Sequence, residues 1–151
     1  MATSSPVPTF VRLGNTLTRT LLRAGFKMAG PGGVPMYLLT VRGRKSGQPR
    51  TTPIVILARD GKCYLVSPYG IVDWVRNVRA AGEATLTRAR RSEQVRVVEL
   101  PPKEAALFLK RSLEQGIPSF LAKYFEVTAQ SSPEEFEQAA ARHPVFSLEK
   151  K

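Results

Sequence analysis

Cysteine and histidine are scarce in this 151-residue chain, which has one of each, Cys63 and His143. A single cysteine excludes a disulfide within the chain. Because the only histidine lies far from it in sequence, a zinc site and a Cys–His nucleophile pair both lack support, and we expect no metal. Cys63 lies in the strand-like run KCYLVS, so we expect its thiol to be buried and unreactive.

Long hydrophobic runs are also missing. No stretch of about 18 apolar residues occurs, which argues against a membrane-spanning helix. The opening MATSSPVPTF lacks the charged start and apolar core of a secretory signal, so we expect a cytoplasmic protein. Hydrophobic residues make up 42% and charged residues 23%, both near globular averages. We therefore expect a flexible N-terminus over residues 1–8 and a single domain over residues 9–151.

Acidic residues are absent before Asp60, whereas nine of the 23 lysines and arginines lie there. The whole chain carries a formal net charge of +11. This one-sided field indicates an anionic partner: nucleic acid, an acidic membrane surface, or a small molecule with phosphate or carboxylate groups. Nucleic acid is the weakest candidate, because no motif for it occurs and aromatic residues are not interleaved with the cations.

Residues 9–29 are predicted to form an amphipathic basic helix. At about 100° per residue, the apolar side chains collect on one side of the helix and its cations on another. The glycines and prolines of GPGGVP end it. Either the apolar stripe packs on the rest of the domain, or the helix lies on the anionic inner face of the cell membrane.

Strand-like runs fill the middle of the chain. They are MYLLTVRG (36–43), TTPIVILAR (51–59), KCYLVSP (62–68), EATLTRA (83–89) and SEQVRVVEL (92–100), with HPVFSLEK (143–150) as a last strand. Asp60 and Gly61 predict a two-residue hairpin turn, and Val95 and Val97 are expected to face the core. Helices are predicted over residues 72–82 and 103–116 and from Ser132. The fold class is therefore α+β, a mostly antiparallel sheet closed as a barrel because closure removes exposed edges.

The stretch TVRGRKSGQPRTTPIVI, from Thr40 to Ile56, places four cations and two glycines between two strand-like runs. We call residues 42–50 the basic bend. Its like charges repel, so it is either a solvated loop or an anion site. The amides of Lys45, Ser46 and Gly47, with the Ser46 hydroxyl, are predicted to form an anion-binding concavity. The spacing is not that of a Walker P-loop, so the bend predicts a phosphate or carboxylate without naming the ligand.

Three ordered segments, LLTVRGRKSGQPRTTPIVIL, DGKCYLVSPYG and DWVRNVRAAGEATL, resemble the deazaflavin-dependent nitroreductase family of actinobacteria. The resemblance covers about Met36 to Leu100 and implies a split β-barrel of the FMN-binding type with coenzyme F420 as cofactor. It places the phosphate and acidic tail of F420 at Arg44, Lys45, Ser46 and Arg50. The implied ring-side residues are Thr52, Pro53 and Ile54 on the strand after the bend, and Val66, Ser67, Tyr69 and Gly70 at the next strand end and loop. Trp74 and Asn77 of the short helix complete the implied cofactor-binding set.

The resemblance implies an F420H2-dependent oxidoreductase that transfers hydride to a quinone, a nitroaromatic or an enone- or lipid-like acceptor. Because the cofactor carries this chemistry, no catalytic residue is demanded, and Tyr69 and Tyr124 are candidates for the acceptor site. FMN is the alternative cofactor. The alternative functions are a carrier of F420 or a fatty acid without turnover, and a nucleic-acid-binding protein. Trp74 and Ser67 have a second interpretation as structural residues, and the chain is expected to be a monomer or a dimer.

Overall fold

The computed structural model describes residues 35–115 and 124–151. The predicted flexible segment 1–8 and the amphipathic helix 9–29 lie outside these residues. In chain order the elements are β1 (Met36–Arg42), β2 (Pro49–Val55), β3 (Leu57–Arg59), β4 (Lys62–Val66), α1 (Asp73–Ala81), β5 (Glu83–Arg88), β6 (Arg91–Glu99), α2 (Pro102–Gln115), α3 (Pro133–Arg142) and β7 (Val145–Lys150).

The strands form one antiparallel sheet in the order β2-β1-β5-β6-β7-β4-β3. Its two edge strands, β2 and β3, are joined through Ile56 alone. In a flat sheet these edges would lie about 29 Å apart, at about 4.8 Å per strand. One connecting residue spans only about 7 Å, so the sheet must curl until its edges meet at this corner. The predicted α+β fold with a split β-barrel is confirmed.

The run TTPIVILAR, predicted as one strand, is two strands. β2 pairs with β1, whereas β3 pairs with β4 on the far side of the sheet. Between them, the backbone amide of Ile56 donates to the carbonyl of Pro35 at 3.3 Å. The prediction of a single strand was wrong because residues on both sides of the corner are buried, which keeps the sequence apolar through the break.

Both tight hairpin turns use a backbone with positive φ. The predicted turn at Asp60 and Gly61 is confirmed, with φ of 52° and 75°. The turn between β5 and β6 has the same character at Ala89 and Arg90, with φ of 53° and 63°. Positive φ at both central residues matches the right-handed twist of the flanking strands.

Two hydrophobic clusters divide the core. The first lies inside the curled sheet and includes Leu39, Val41, Leu65, Val75, Val78, Val95, Val97 and Phe146. The second joins the β3–β4 side of the sheet to α2 and α3 and includes Leu57, Phe108, Leu109, Phe125, Phe136 and Val145. The predicted inward orientation of Val95 and Val97 is confirmed.

Cys63 is exposed, which corrects the expectation of a buried thiol. It shares a face of β4 with the buried Leu65, because the two residues are two positions apart on one strand. Cys63 lies next to the Asp60–Gly61 turn, at the end of the strand, where the core no longer covers that face. Strand periodicity therefore predicts the face of β4 on which Cys63 lies but not how deeply its side chain is buried.

The helices begin and end close to the predicted signals. α1 starts with Asp73 in its first turn and stops at Gly82, whose φ is 72° and whose amide donates to Val78 O at 2.8 Å. α3 has the predicted start, in which Ser132 and Glu135 form a reciprocal capping box. Among the described residues, no helix has the length and apolar character needed to cross a bilayer.

Candidate functional site

The basic bend is a compact loop between β1 and β2. The Gly43 amide donates to Gln48 O at 2.8 Å, and the Gly47 amide donates to Gly43 O at 2.9 Å. A side chain at Gly43 would put its Cβ 2.8 Å from Ser46 Oγ, and Gly47 has a φ of 71°. Glycine is therefore favoured at both positions, at Gly43 by close contact and at Gly47 by its backbone conformation.

The predicted concavity of three amides is only partly available. The Gly47 amide is already bonded to Gly43 O, so its inclusion was wrong. The Ser46 hydroxyl accepts from the Gln48 amide at 3.2 Å but keeps its own proton for donation. Within the described part of the chain, the amides of Lys45 and Ser46 have no hydrogen-bond partner. These two amides and one hydroxyl remain as donors for an anion.

Asn77 fastens the bend to α1. Its Oδ1 accepts from the backbone amide of Arg44 at 3.1 Å and from Arg44 Nη1 at 2.8 Å. Asn77 is only 4% exposed, so these two bonds lie in a sheltered position at the back of the bend. The second guanidinium nitrogen, Nη2, lies 3.6 Å from Asp73 Oδ1. Arg44 is therefore held in one orientation before any ligand arrives.

A cleft of about 690 Å³ lies between the bend, β2 and α1. It is lined by seven of the residues predicted from sequence: Arg44, Lys45, Ser46, Arg50, Thr52, Trp74 and Asn77. Lys45 and Arg50 are exposed, and neither forms an ion pair with any other described residue. Three cations face one carboxylate across this cleft, so an anionic group is the favoured occupant.

Five lining residues were not predicted: Val41, Gly43, Pro49, Thr51 and Asp73. Asp73 could have been found from sequence, because it lies four positions before Asn77 and the two share a helix face. Thr51 pairs directly with Thr40, and their hydroxyls are 3.0 Å apart.

Trp74 has the structural role that the sequence left open, and its role as a cofactor contact stays a prediction. Its ring lies 5.9 Å from that of Phe146 and packs against the first hydrophobic cluster. The same side chain is only partly buried and lines the cleft. It closes the end of the core and offers an aromatic wall to a ligand.

A second cleft, of about 910 Å³, lies on the other side of the bend and shares Arg44, Lys45 and Ser46 with the first. Its remaining wall includes Glu83 and Lys151, which form an ion pair. The hydrogen bond from Lys151 holds the pKa of Glu83 below its ordinary value. None of the predicted ring-side residues lines this cleft, so the first cleft is the better candidate.

Six predicted ring-side residues lie outside the cleft. Ile54 is buried in the first hydrophobic cluster, and Pro53 precedes it on β2. Val66 packs against the second cluster, and Ser67, Tyr69 and Gly70 form the loop that follows β4. Their roles as cofactor ligands stay predictions.

The Ser67–Gly70 loop is anchored from the C-terminal part of the chain. The Ser67 amide donates to Pro144 O at 3.1 Å, and Ser67 O lies 3.0 Å from His143 Nδ1. The Ser67 hydroxyl donates to Gly70 O, so this buried side chain is already bonded within the loop. Burial lowers the pKa of His143, which favours the neutral imidazole.

The two candidate acceptor-site tyrosines contact each other. The rings of Tyr69 and Tyr124 meet edge to face with centroids 5.0 Å apart. Burial raises the pKa of Tyr69, and the neighbouring phenol of Tyr124, with which it shares a hydrogen bond, raises it further.

Comparison with known proteins gives one family match. A family model described as F420H(2)-dependent quinone reductase matches residues 16–133. No curated protein matches the chain significantly.

Solved structures share the fold at low identity. One described as a domain-swapped dimer is 23% identical with a TM-score of 0.55, over 93% of this chain and 97% of that one. An F420-H2 dependent reductase, FDR-A, is 24% identical with a TM-score of 0.51, over 76% of this chain and 93% of that one. HutZ, a heme storage protein from Vibrio cholerae, is 10% identical with a TM-score of 0.50, over 77% and 81%. At these identities the structures establish a common fold alone.

Proposed function

Because the chain belongs to the F420H(2)-dependent quinone reductase family, we propose that it binds F420 in the cleft beside the basic bend and passes hydride to a quinone. Family membership makes the protein an oxidoreductase with F420 as its cofactor. The resemblance seen in the sequence is thereby confirmed. The position of the cofactor and the identity of the acceptor belong to the proposal.

The donors of the cleft suit the phosphate and acidic tail of F420. Lys45 and Arg50 supply exposed cations, and Arg44 presents an oriented guanidinium. Charge-assisted contacts of this kind are stronger than neutral hydrogen bonds. The volume of about 690 Å³ falls within the usual range of roughly 300–1,000 Å³ for cofactor sites. The single observation that carries the proposal is this convergence of three cations on a cleft with an aromatic wall.

The flat ring of the cofactor requires apolar surface, and Trp74 and Val41 provide some in the lining of the cleft. Thr52 of β2 lines the same cleft. We propose that these residues orient the ring and exclude water from one of its faces. Pro53 and Ile54 continue β2 beyond Thr52, and Ile54 is buried in the first hydrophobic cluster.

Reduced F420 supplies the hydride when it is bound, so the protein contributes placement and electrostatics. Tyr69 and Tyr124 contact each other through their rings and share a side-chain hydrogen bond, and this pair of phenols is a polar group suited to contact the carbonyl oxygen of a quinone. We propose this pair as the acceptor side of the site. Nitroaromatic and enone- or lipid-like compounds are alternative acceptors of the same hydride.

Measurements of F420H2 oxidation and of cofactor binding distinguish this proposed function from the alternative functions. Oxidation of F420H2 should be followed in the presence of quinones, nitroaromatics and enones, and binding should be titrated with F420, FMN and FAD. We expect F420 to bind more tightly than either flavin and quinones to accelerate its oxidation. Tight F420 binding without turnover on any acceptor would instead indicate a carrier, and preference for fatty acid or DNA would remove the proposal.

Replacement of Lys45 by alanine tests the position of the cofactor. We expect the affinity for F420 to weaken by about 1–3 kcal/mol, the loss of one charge-assisted contact. Lys62→Ala is the matched control, because Lys62 is exposed on β4 and does not line the cleft. Equal affinity for F420 in the two variants would show that the cofactor does not bind at the basic bend.

Two further assignments stay predictions. Residues 9–29 are proposed to contact an anionic membrane surface, and liposome sedimentation of the full chain against a chain starting at residue 30 tests this.

A dimer is the assembly suggested by the description of one structural relative, and light scattering on the purified protein distinguishes it from a monomer.

A further inference from the structure

The guanidinium of Arg44 has one nitrogen held firmly and one held loosely. Nη1 donates to Asn77 at 2.8 Å, whereas Nη2 lies 3.6 Å from Asp73 Oδ1. A separation of 3.6 Å is an ion pair without a hydrogen bond. Arg44 lines the cleft, and its Nη2 is oriented by the bond from Nη1 to Asn77 and balanced, but not bonded, by the carboxylate of Asp73.

Asp73 is the only acidic residue among the described residues that line the cleft. Its side chain is 84% exposed, and it lies 3.6 Å from Arg76 Nη1 as well as from Arg44. Exposed ion pairs of this length add little to folding stability. If its carboxylate leaves Arg44 it keeps Arg76 as a partner, so the movement leaves no charge unpaired.

We propose that Asp73 is a specificity-determining residue whose carboxylate stands in for the ligand anion beside Arg44 and is displaced when that anion binds. The inference rests on the proposed function and adds a residue that acts against binding. A strongly charged group, such as a phosphate, can replace the carboxylate at Arg44. A weakly charged or neutral ligand cannot, so Asp73 selects for highly anionic ligands at the cost of some affinity.

Asp73→Asn removes the charge and keeps the shape of the side chain. We expect this variant to bind oxidised F420 about three- to tenfold more tightly than the unchanged protein in low salt. The gain should shrink in about 0.5 M salt, where the Debye length is only a few ångström. Glu99→Gln is the matched control: it makes the same change in net charge at a carboxylate that is paired with Arg79 and does not line the cleft. Its affinity should stay unchanged.

The double variant Arg44→Gln with Asp73→Asn tests whether the gain passes through Arg44. We expect Asp73→Asn to give no gain in the Arg44→Gln background, and thermal unfolding of each variant checks that it is folded. An unchanged or weaker affinity in Asp73→Asn, or a gain that survives without Arg44, overturns the inference. If the unchanged protein does not bind F420, the proposed function fails separately. The same comparison is then made with inorganic pyrophosphate, for which the same gain and the same controls decide the role of Asp73.

Discussion

At the scale of single residues, Asn77 has a structural role that its predicted role as a cofactor ligand did not indicate. The sequence predicted it as a cofactor ligand, yet its oxygen is occupied by two donors of Arg44. A buried amide that satisfies a backbone group and a guanidinium together fixes both the bend and the direction of its first cation. We infer that Asn77 acts on the cofactor through Arg44.

Asn77→Ala should therefore lower both stability and affinity. Loss of the two hydrogen bonds is expected to reduce the free energy of unfolding by about 1–3 kcal/mol. F420 binding should weaken in the same variant because Arg44 loses its orientation. Asn77→Asp retains an acceptor oxygen beside the guanidinium, so urea unfolding of this variant should lie closer to that of the unchanged protein. Equal losses in the two variants would contradict a role through the oxygen.

At the scale of elements, the bend between β1 and β2 depends on a glycine with positive φ. Gly47 has a φ of 71° and open space where a Cβ would lie, so the limit is backbone conformation and not contact. This conformation costs a residue such as alanine roughly 1–2 kcal/mol, whereas asparagine adopts it more readily.

We accordingly expect Gly47→Ala to lower the free energy of unfolding by about 1 kcal/mol and Gly47→Asn to lower it less. The order should be the same for F420 affinity, because both changes act on the shape of the bend. Thermal unfolding and ligand titration measure the two effects. If Gly47→Ala had the same unfolding free energy and the same F420 affinity as the unchanged protein, the bend would have relaxed to another conformation.

At the scale of the whole molecule, positive charge exceeds negative charge, and three of the described cations, Arg44, Lys45 and Arg50, line the cleft. The net charge is +11, and no acidic residue precedes Asp60 in the sequence, whereas nine lysines and arginines do. Such a field raises the local concentration of an anionic ligand, and salt screens it.

We expect F420 affinity to fall several-fold between about 0.05 M and 0.5 M salt, where the Debye length drops from above 10 Å to a few ångström. Lys45→Ala should show a smaller dependence, since one of the interacting charges is gone. Isothermal titration at several salt concentrations gives both slopes. A slope that is flat, or equal in the two proteins, would exclude a charge-driven site at the bend.

The stability of the whole fold should depend on pH through His143. Burial lowers its pKa in the folded protein, whereas the unfolded chain titrates near the ordinary value of about 6.5. Between these two pKa values the unfolded state binds the extra proton, so stability is complete above about 6.5 and is lost as the pH falls toward the folded pKa.

His143→Gln removes this titration, and it is the only histidine in the chain. The midpoint of urea unfolding should fall from pH 7 to about pH 5 in the unchanged protein and fall less in the variant. Parallel pH profiles would show that His143 is not buried as a neutral ring.

Much of this architecture was predictable, because its signals are local. Alternation marked the strands, Asp60 and Gly61 marked a turn, and Ser132 marked the start of α3. The bend was found from its glycines and cations, and seven of the cofactor-binding residues implied by the resemblance do line one cleft. The single domain over residues 9–151 stays a prediction, since part of that range lies outside the described residues.

What the sequence alone determined was the set of elements, the excess of positive charge and the residue types of the bend. Only the tertiary structure decided that the strand run breaks at Ile56, that Asn77 and Asp73 flank Arg44, and that Cys63 is exposed. Periodicity and turn chemistry depend on neighbours within a few positions, so they can be read from the chain. Strand partners and depth of burial depend on residues tens of positions away, and the 33-residue separation of Arg44 from Asn77 leaves no local signal.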